Sequence, residues 1–428
     1  MMPICRRMWL VLLLISIASA SARADNWPAW RGARHDGICR ETAVPVKFGR
    51  NENLAWKVDL PKRAGSTPIV WDDQIFLTTP AEDDNTLLLM SVSTAGKVLW
   101  KKELGQGNRN ARDTEGNSAA PSPSTDGKRV WAFVGTGILA CCDFAGNEVW
   151  KFDVQDRYGK LKIQFGMTST PLLDGERLFL QLIHGDGKAQ TREAVVVCLD
   201  KATGKELWKQ PRPSEAYGEN EHSYASPTLY RDESQAFLLT HGADYIIAHN
   251  LDDGRELWRC GGLQPAKYNP TLRMVSSPVA VPGLIVAPSA KEGQVVAIRP
   301  GGNGNITDNP SFKLWTFFPT PDVPSPLVVD DLVYLFRENS VLICVDAKTG
   351  QKQYEERVAM SANNRASPLY ADGNIYLACR NGTVVVVKAG PKFEKVWETS
   401  LDDSIVSSPV IANGRLYLRS NTALWAFR

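Results

Sequence analysis

A Ser/Thr-Pro pair that recurs eight times constrains this chain more than any other feature. Each pair opens a stretch of alternating apolar residues, and successive pairs are 41 to 56 residues apart. Self-similarity at such a period is typical of repeat architectures, so one repeat-built domain is predicted where length alone would suggest two or three. The pairs begin at Thr67, Ser122, Thr170, Ser226, Ser277, Ser325, Ser367 and Ser408.

The residues after each pair predict a β-hairpin. SPLYADGNIYLA, SPVIANGRLYLR and TPLLDGERLFLQ each combine a short strand, a turn with Gly or Asp, and an alternating strand. A second motif follows, as in CLDKATGKELW (198–208) and VDAKTGQKQY (345–354): a strand ending near Asp, a turn at Gly, and an outer strand with an aromatic residue. Four short strands per unit is the content of one propeller blade.

The aromatic residues of the outer strands set the number of blades. Seven units carry one each, whereas the last unit, Ser408 to Arg428, ends before such a strand. Leu54 to Leu60, around Trp56, supplies the missing strand near the other end of the chain. We therefore predict an all-β, eight-bladed propeller of four-stranded antiparallel blades, closed by the N-terminal strand so that no sheet edge stays open. The seven aromatics are Trp100, Trp150, Trp208, Trp258, Trp315, Tyr354 and Trp397.

The second motif resembles the PQQ-like (Trp-docking) repeat of quinoprotein alcohol dehydrogenases and of the outer-membrane assembly lipoprotein BamB. Units 198–208 and 344–354 fit its pattern A-x-D-x-x-T-G-x-x-x-W with few departures. The opening WPAWRG (27–32) with Asp36-Gly37 is similar to secreted members of this superfamily in planctomycete-type bacteria. The resemblance covers essentially the whole mature chain and implies the propeller fold. It implies no particular activity, because the repeat is a packing device shared by enzymes and non-enzymes.

The first 24 residues predict a signal peptide. Arg6 and Arg7 precede an apolar stretch, and Ala22-Arg23-Ala24 fits an A-x-A cleavage site. The apolar stretch is too short for a transmembrane segment, and the next cysteine, Cys39, is too distant for a lipid anchor. We expect residues 25–428 to form the single propeller domain, periplasmic or secreted.

The charge of the mature chain disfavours several partner classes. Three of the 49 basic residues and none of the 47 acidic residues lie in the predicted signal peptide, so the mature chain is close to neutral. A near-neutral chain with no basic run lacks the electrostatic footprint of a nucleic-acid or membrane-surface binder. An envelope or extracellular protein is the expected partner.

The Cys141-Cys142 pair is the most conspicuous candidate for chemistry. The resemblance to quinoprotein alcohol dehydrogenases implies a vicinal disulfide beside pyrroloquinoline quinone (PQQ), and Cys141-Cys142 is the only such pair. However, Cys141 aligns with Cys198 and Cys344, each two residues before the Asp of the second motif. A buried strand position, where Cys acts as a small apolar residue, is therefore the preferred interpretation.

No sequence motif indicates catalysis or metal binding. The five histidines show no ligand spacing, and no nucleophile elbow, P-loop, dinucleotide fingerprint or CxxC is present. We therefore assign no catalytic and no metal-binding residue. The histidines are His35, His184, His222, His241 and His249.

The residues just before each Ser/Thr-Pro pair are the candidate binding residues. They begin the innermost strands, which converge on the central channel of a propeller. Arginines and amides predominate, and such a ring suits an anionic or carbonyl-rich ligand through charge-assisted hydrogen bonds. The candidates are Arg63, Asn117, His222, Tyr224, Arg273, Asp322, Asn364 and Arg365, with the apolar Met167 among them.

We interpret the chain as a non-catalytic binding or assembly scaffold of the cell envelope, similar to BamB, although it lacks that protein's lipidated cysteine. One alternative is a dehydrogenase that uses PQQ with Ca²⁺, as the resemblance to the quinoproteins implies. Another is a small-molecule or glycan binder at the channel mouth, to which exposed Tyr217, Tyr224 or Tyr268 would point.

Overall fold

The computed structural model describes residues 25–428 apart from 112–115, 189, 191 and 192. The predicted signal peptide, residues 1–24, lies outside the described residues. Two short helical segments occur among the described residues, an α-helix at Val154–Tyr158 and a 3₁₀ helix at Gly218–Glu221. None of the helices in these ranges has the length and apolar character needed to cross a membrane.

Eight antiparallel sheets form the ring, which confirms the predicted eight-bladed propeller. In blades 1 to 7 the four strands follow one another in the chain from the channel outward, and they are given in that order below. Blades 1 and 2 contain Ile69–Trp71, Gln74–Pro80, Thr86–Ser93, Val98–Gln106 and Ser124–Thr125, Arg129–Phe133, Ile138–Asp143, Glu148–Asp153. Blades 3 and 4 contain Leu172–Asp174, Arg177–Leu182, Val195–Asp200, Glu206–Pro211 and Thr228–Arg231, Ala236–Gly242, Tyr245–His249, Glu256–Cys260. Blades 5 and 6 contain Val279–Val281, Leu284–Ala287, Val295–Ile298, Lys313–Phe317 and Leu327–Val329, Leu332–Phe336, Val341–Asp346, Lys352–Arg357.

Blade 8 closes the ring with a strand from the N-terminal end of the chain. Leu54–Asp59 pairs with Ala423–Phe427, with Trp56 opposite Ala426. Blade 7 contains Leu369–Ala371, Asn374–Ala378, Thr383–Lys388 and Lys395–Ser400, and blade 8 contains Val410–Ala412, Arg415–Arg419, Ala423–Phe427 and Leu54–Asp59. Two short parallel strands extend other sheets: Ile38–Cys39 joins the inner strand of blade 7, and Gly304–Asn305 the outer strand of blade 4.

The outer-strand tryptophans dock onto the following blade. Trp100 Nε1 donates to the carbonyl of Phe144 at 2.9 Å, and a Cβ on Gly146 would lie 2.9 Å from the indole ring. Gly146 also has a φ of 87°, so glycine is required there both for the turn and for the close approach of the ring. Trp56 repeats the arrangement on Gly96, where it couples blade 8 to blade 1.

The hydroxyl group of the repeated Ser/Thr-Pro pair joins each blade to its neighbour. Ser277 Oγ accepts the backbone N–H of Ser226 at 2.9 Å, and five further pairs around the ring repeat this bond at 2.9–3.0 Å. The last bond, from Ser408 N–H to Thr67 Oγ1 at 3.1 Å, links blade 8 to blade 1. Within the described part of the chain, only Thr170 of the eight hydroxyls receives no such bond. The recurring hydroxyl is therefore part of the fastening between blades.

Candidate functional site: a cup in the central channel

An N-terminal segment closes one end of the central channel. Trp27 forms a two-way backbone bridge with Val70 on the inner strand of blade 1 (2.8 and 2.9 Å), and Pro28 O accepts from the N–H of Thr125 on blade 2. On the far side of the ring, Gly37 O accepts from the N–H of Tyr370 on blade 7. Residues 27–39, the channel floor, therefore cross beneath the inner strands and leave the channel open at its other end, the mouth.

Arg31 holds the channel floor in place. Its Nη2 donates to Pro326 O on blade 6 at 2.6 Å and to Asp36 O at 2.8 Å. Burial lowers the pKa of this guanidinium to about 10, while the charge of Asp36 acts in the opposite direction. Gly32 turns the chain with a φ of 80°, and a Cβ there would lie 2.9 Å from the Trp27 ring. The WPAWRG opening is thus a structural floor, a role that the sequence did not indicate.

The closed channel forms a cup of about 200 Å³. Trp30 lies at its base, and the eight Ser/Thr hydroxyls surround its middle. Seven of these oxygens already accept a backbone N–H, and none of the eight O–H groups has an acceptor within the described residues. Because a hydroxyl can donate as well as accept, the wall offers a belt of hydrogen-bond donors to a ligand.

Four of the predicted binding residues line the upper part of the cup: Tyr224, Arg273, Asp322 and Arg365. Arg273 pairs with Glu219 at 3.5 Å and lies over the Phe165 ring, 4.9 Å from its centroid. Burial raises the pKa of Asp322, while the positive charges of Arg365, Lys291 and Arg273 oppose that rise.

Tyr224 is largely enclosed. Its hydroxyl accepts the N–H of Phe165 at 3.2 Å, and only 7% of the residue is exposed. It therefore shapes the wall of the cup but offers no aromatic face at the surface.

Arg63 and Asn117 lie beside the cup rather than in it. They line a neighbouring cavity of about 130 Å³ together with Arg380. Asn117 Nδ2 donates to Arg63 O at 2.7 Å, so this amide supports the loop that carries the arginine.

Three of the sequence-derived positions do not line either cavity. His222 Nε2 donates to Gly185 O at 3.1 Å, and burial lowers the pKa of this histidine. Asn364 is fully buried, where its Nδ2 donates to Ser340 Oγ at 2.8 Å and its Oδ1 accepts the N–H of Arg380. Met167 is buried in the core. These side chains point away from the channel because they hydrogen-bond to neighbouring loops or pack in the core. Their position before the Ser/Thr-Pro pair does not indicate this direction.

The composition of the cup suits the binding of a polar ligand. Arginines at the mouth and hydroxyl donors below them suit a ligand rich in acceptors, and Trp30 offers an apolar base. Asp322 is the only acid among the described residues that line the cup. Over the described ranges no group of three His, Cys, Asp or Glu side chains is placed to hold a metal ion.

The vicinal cysteines do not fit a cofactor clamp. Cys141 and Cys142 lie in the third strand of blade 2, are fully buried as free thiols, and point into two different core clusters. Cys141 lies opposite Trp150, as Cys198 lies opposite Trp208 in blade 3. The pair therefore packs between blades, and neither cysteine lines the cup. The residues around the cup thus do not fit a PQQ site built on a disulfide and calcium.

Comparisons with known proteins agree with this architecture. Residues 135–384 match the sequence family described as outer membrane protein assembly factor BamB. A protein of that description from Burkholderia pseudomallei (strain K96243) is 29% identical over 98 residues, which span 22% of this chain and only 24% of that relative.

Solved structures show the same fold at low identity. BamB from Moraxella catarrhalis superposes with a TM-score of 0.62 at 13% identity, covering 88% of this chain and 97% of that one. A europium-containing methanol dehydrogenase gives 0.70 at 12% identity, covering 92% and 89%. Quinohemoprotein alcohol dehydrogenase from Comamonas testosteroni gives 0.65 at 13% identity, covering 94% and 80%. At these identities the likeness extends to the fold alone.

Proposed function

Because this chain belongs to the PQQ-repeat family described as outer membrane protein assembly factor BamB, we propose that it is a non-catalytic binding scaffold of the cell envelope. It acts in the periplasm or as a secreted protein, after export directed by the signal peptide predicted at residues 1–24. A protein partner docks on the mouth side of the ring, where the connections between blades surround the cup.

The observation that carries this proposal is a pair of exposed apolar side chains on two connections that also reach the cup. Phe318 is 67% exposed and Met360 is 85% exposed. They lie on neighbouring connections, blade 5 to 6 and blade 6 to 7, which also bring Asp322 and Arg365 to the cup. Phe and Met are enriched at protein interfaces, and large exposed apolar groups next to polar ones are typical of docking surfaces.

The cup adds a polar anchor at the inner ends of the same connections. Arg273 and Arg365 at its mouth, with the hydroxyl belt below, suit a carboxylate or carbonyl group of the partner. A rigid ring that presents loops is a scaffold on which binding specificity resides in those loops.

Site-specific photo-crosslinking in the native host tests the docking surface. A photoreactive phenylalanine analogue replaces Phe318 or Met360, and Leu207 on the outer strand of blade 3, itself 54% exposed, serves as the matched control. We expect one discrete protein adduct from positions 318 and 360 and none from 207. Equal adducts at all three positions, or no adduct at 318 and 360, would contradict the proposal.

Titration with PQQ and Ca²⁺ tests the non-catalytic assignment. Melting temperature and absorbance are the two readouts. We expect no saturable, calcium-dependent shift in either, because the cysteine pair packs between blades and does not line the cup. A calcium-dependent rise that Trp30→Ala abolishes would place the cofactor in the cup and overturn the assignment.

A further inference from the structure

A third cavity lies at blades 4 and 5, outside the central channel. The loop 261–268, the turn 305–308 and the hairpin residues Asp244 and Tyr245 border an open groove of about 280 Å³, just below the roughly 300–1,000 Å³ of typical ligand pockets. Parallel pairing of Gly304–Asn305 with the outer strand of blade 4 holds the far wall in place. We call this cavity the blade-4 groove.

Two tyrosines form an aromatic platform at the edge of this groove. Tyr217 and Tyr268 stack with ring centroids 5.2 Å apart and an angle of 28° between the rings, and they are 47% and 36% exposed. The hydroxyl of Tyr268 accepts the N–H of Tyr217, which orients the pair. Exposed rings that are fixed in orientation offer a flat apolar surface without the entropy cost of ordering a mobile side chain.

A network of amides and a carboxylate lies directly beside the platform. The fully buried Asn220 donates from Nδ2 to the Asp244 carboxylate and to the Tyr268 hydroxyl, the latter at 2.9 Å. Its Oδ1 accepts from Gln264 Nε2 at 2.6 Å. Gln264 Oε1 itself is enclosed by protein. Gln264 therefore acts on the groove through Asn220, whose bonds hold the Asp244 carboxylate and the Tyr268 hydroxyl in place.

The backbone at Asp244 is held in a costly conformation. Ala243 and Asp244 both lie in the left-handed region, with φ of 45° and 70°, at a hairpin turn where glycine or asparagine is the usual choice. The turn fixes the carboxylate against Asn220 at the wall of the groove. Such conformations persist where the surrounding contacts hold them in place.

The charges around the groove disfavour an anionic ligand. Asp244 and Asp308 line it, and Glu215 accepts from the Tyr245 hydroxyl. Arg259 lies over the Tyr245 ring at 4.8 Å, but both oxygens of Glu256 already pair with it. Arg259 therefore already occupies the tyrosine face that would complete a cage for a cationic ligand. Fixed aromatic faces and a carboxylate acceptor, at a site that disfavours anions and has its cation position filled by Arg259, are together suited to a compact neutral molecule with many hydroxyl groups.

From these contacts we infer that the blade-4 groove binds a neutral saccharide, with a sugar ring against the Tyr217–Tyr268 platform and its hydroxyls donating to the Asp244 carboxylate. This inference goes beyond the scaffold function, because the groove shares none of its lining residues with the cup and neither Phe318 nor Met360 belongs to it. The two surfaces can bind separately.

A glycan array of neutral hexose, N-acetylhexosamine and deoxyhexose oligomers tests the inference on the purified mature chain. Calorimetric titration with the best-bound oligomer follows. We expect saturable binding that weakens at least tenfold in Tyr268→Ala and in Gln264→Leu. Phe318→Ala, on the proposed protein-docking surface, should leave the saccharide affinity unchanged. Circular dichroism and melting temperature establish that each variant is folded.

Two results would overturn the inference. One is the absence of binding to every neutral class on the array. The other is binding of tetramethylammonium, used as a cationic probe, that is lost in Tyr268→Ala, since this would assign the groove to cations. Saccharide binding without crosslinking at Phe318 would support the saccharide site and refute the docking surface. Crosslinking at Phe318 without saccharide binding would support the docking surface and refute the saccharide site.

Discussion

The belt of hydroxyl groups around the channel leads to a prediction with an internal control. Thr67 Oγ1 accepts the N–H of Ser408 at 3.1 Å and so fastens blade 8 to blade 1. Thr67→Val preserves the shape of the side chain but removes this acceptor, which leaves the Ser408 N–H buried without a partner. An unsatisfied buried donor costs about 1–3 kcal/mol, so the free energy of unfolding should fall by that amount.

Thr170→Val is the matched control. Thr170 occupies the same place in the repeat, is similarly buried (7% against 2%), and within the described residues receives no N–H from a neighbouring blade. Its own N–H still donates to Ser226 Oγ after the substitution. The change should therefore alter stability by no more than about 0.5 kcal/mol, as expected for a substitution that breaks no buried contact.

Urea unfolding followed by tryptophan fluorescence measures both variants. The slope with denaturant should be the same in all three proteins, so that the shift in midpoint reports the free-energy difference. Equal losses in Thr67→Val and Thr170→Val would refute the reasoning, because the cost would then come from the change to valine and not from the inter-blade bond.

Three further predictions concern ring closure, acid stability and the buried thiols. Trp56→Ala should lower the free energy of unfolding by about 3 kcal/mol, since it removes the indole from Gly96 and the bond to Thr94 O; a loss below about 1 kcal/mol in urea unfolding would contradict this. Burial lowers the pKa of His249 to about 4, below the unfolded value of about 6.5. The unfolded chain then binds the proton more readily, so His249 should cost roughly 3 kcal/mol of stability as pH falls from about 6.5 to 4. Unfolding as a function of pH should show a flatter profile in His249→Asn. Burial raises the pKa of Cys141 to about 12 and of Cys142 to about 11, so neither should react with iodoacetamide at pH 8 until the chain is unfolded, as peptide mass spectrometry would show.

Much of the fold was predictable because it rests on local, repeated chemistry. The Ser/Thr-Pro pairs, the turn glycines and the outer-strand aromatics recur with the same role in most units, so several weak signals reinforce one another. The closing strand around Trp56 was predictable for the same reason, since the last unit lacks a strand of that kind. Cys141 shares the register position of Cys198 and Cys344, which identified it as a packing residue.

The binding sites were only partly predictable. Arg273, Asp322 and Arg365 reach the cup as their place before the Ser/Thr-Pro pairs suggested, whereas His222 and Asn364 turn into neighbouring structure. Position along a strand determines where a backbone lies, but the direction of a side chain depends on which buried partner it can satisfy. The loops differ in every unit, so the repeat carries no information about them.

The sequence by itself determined the number of blades and the closure of the ring, because these follow from spacing and from the twofold alternation of strands. Only the tertiary structure decided that residues 27–39 close the channel, and that Tyr217, Asn220, Asp244, Gln264 and Tyr268 meet in one groove. These contacts join segments far apart in the chain through irregular backbone. Such pairings depend on where the completed ring places each loop, which no local pattern encodes.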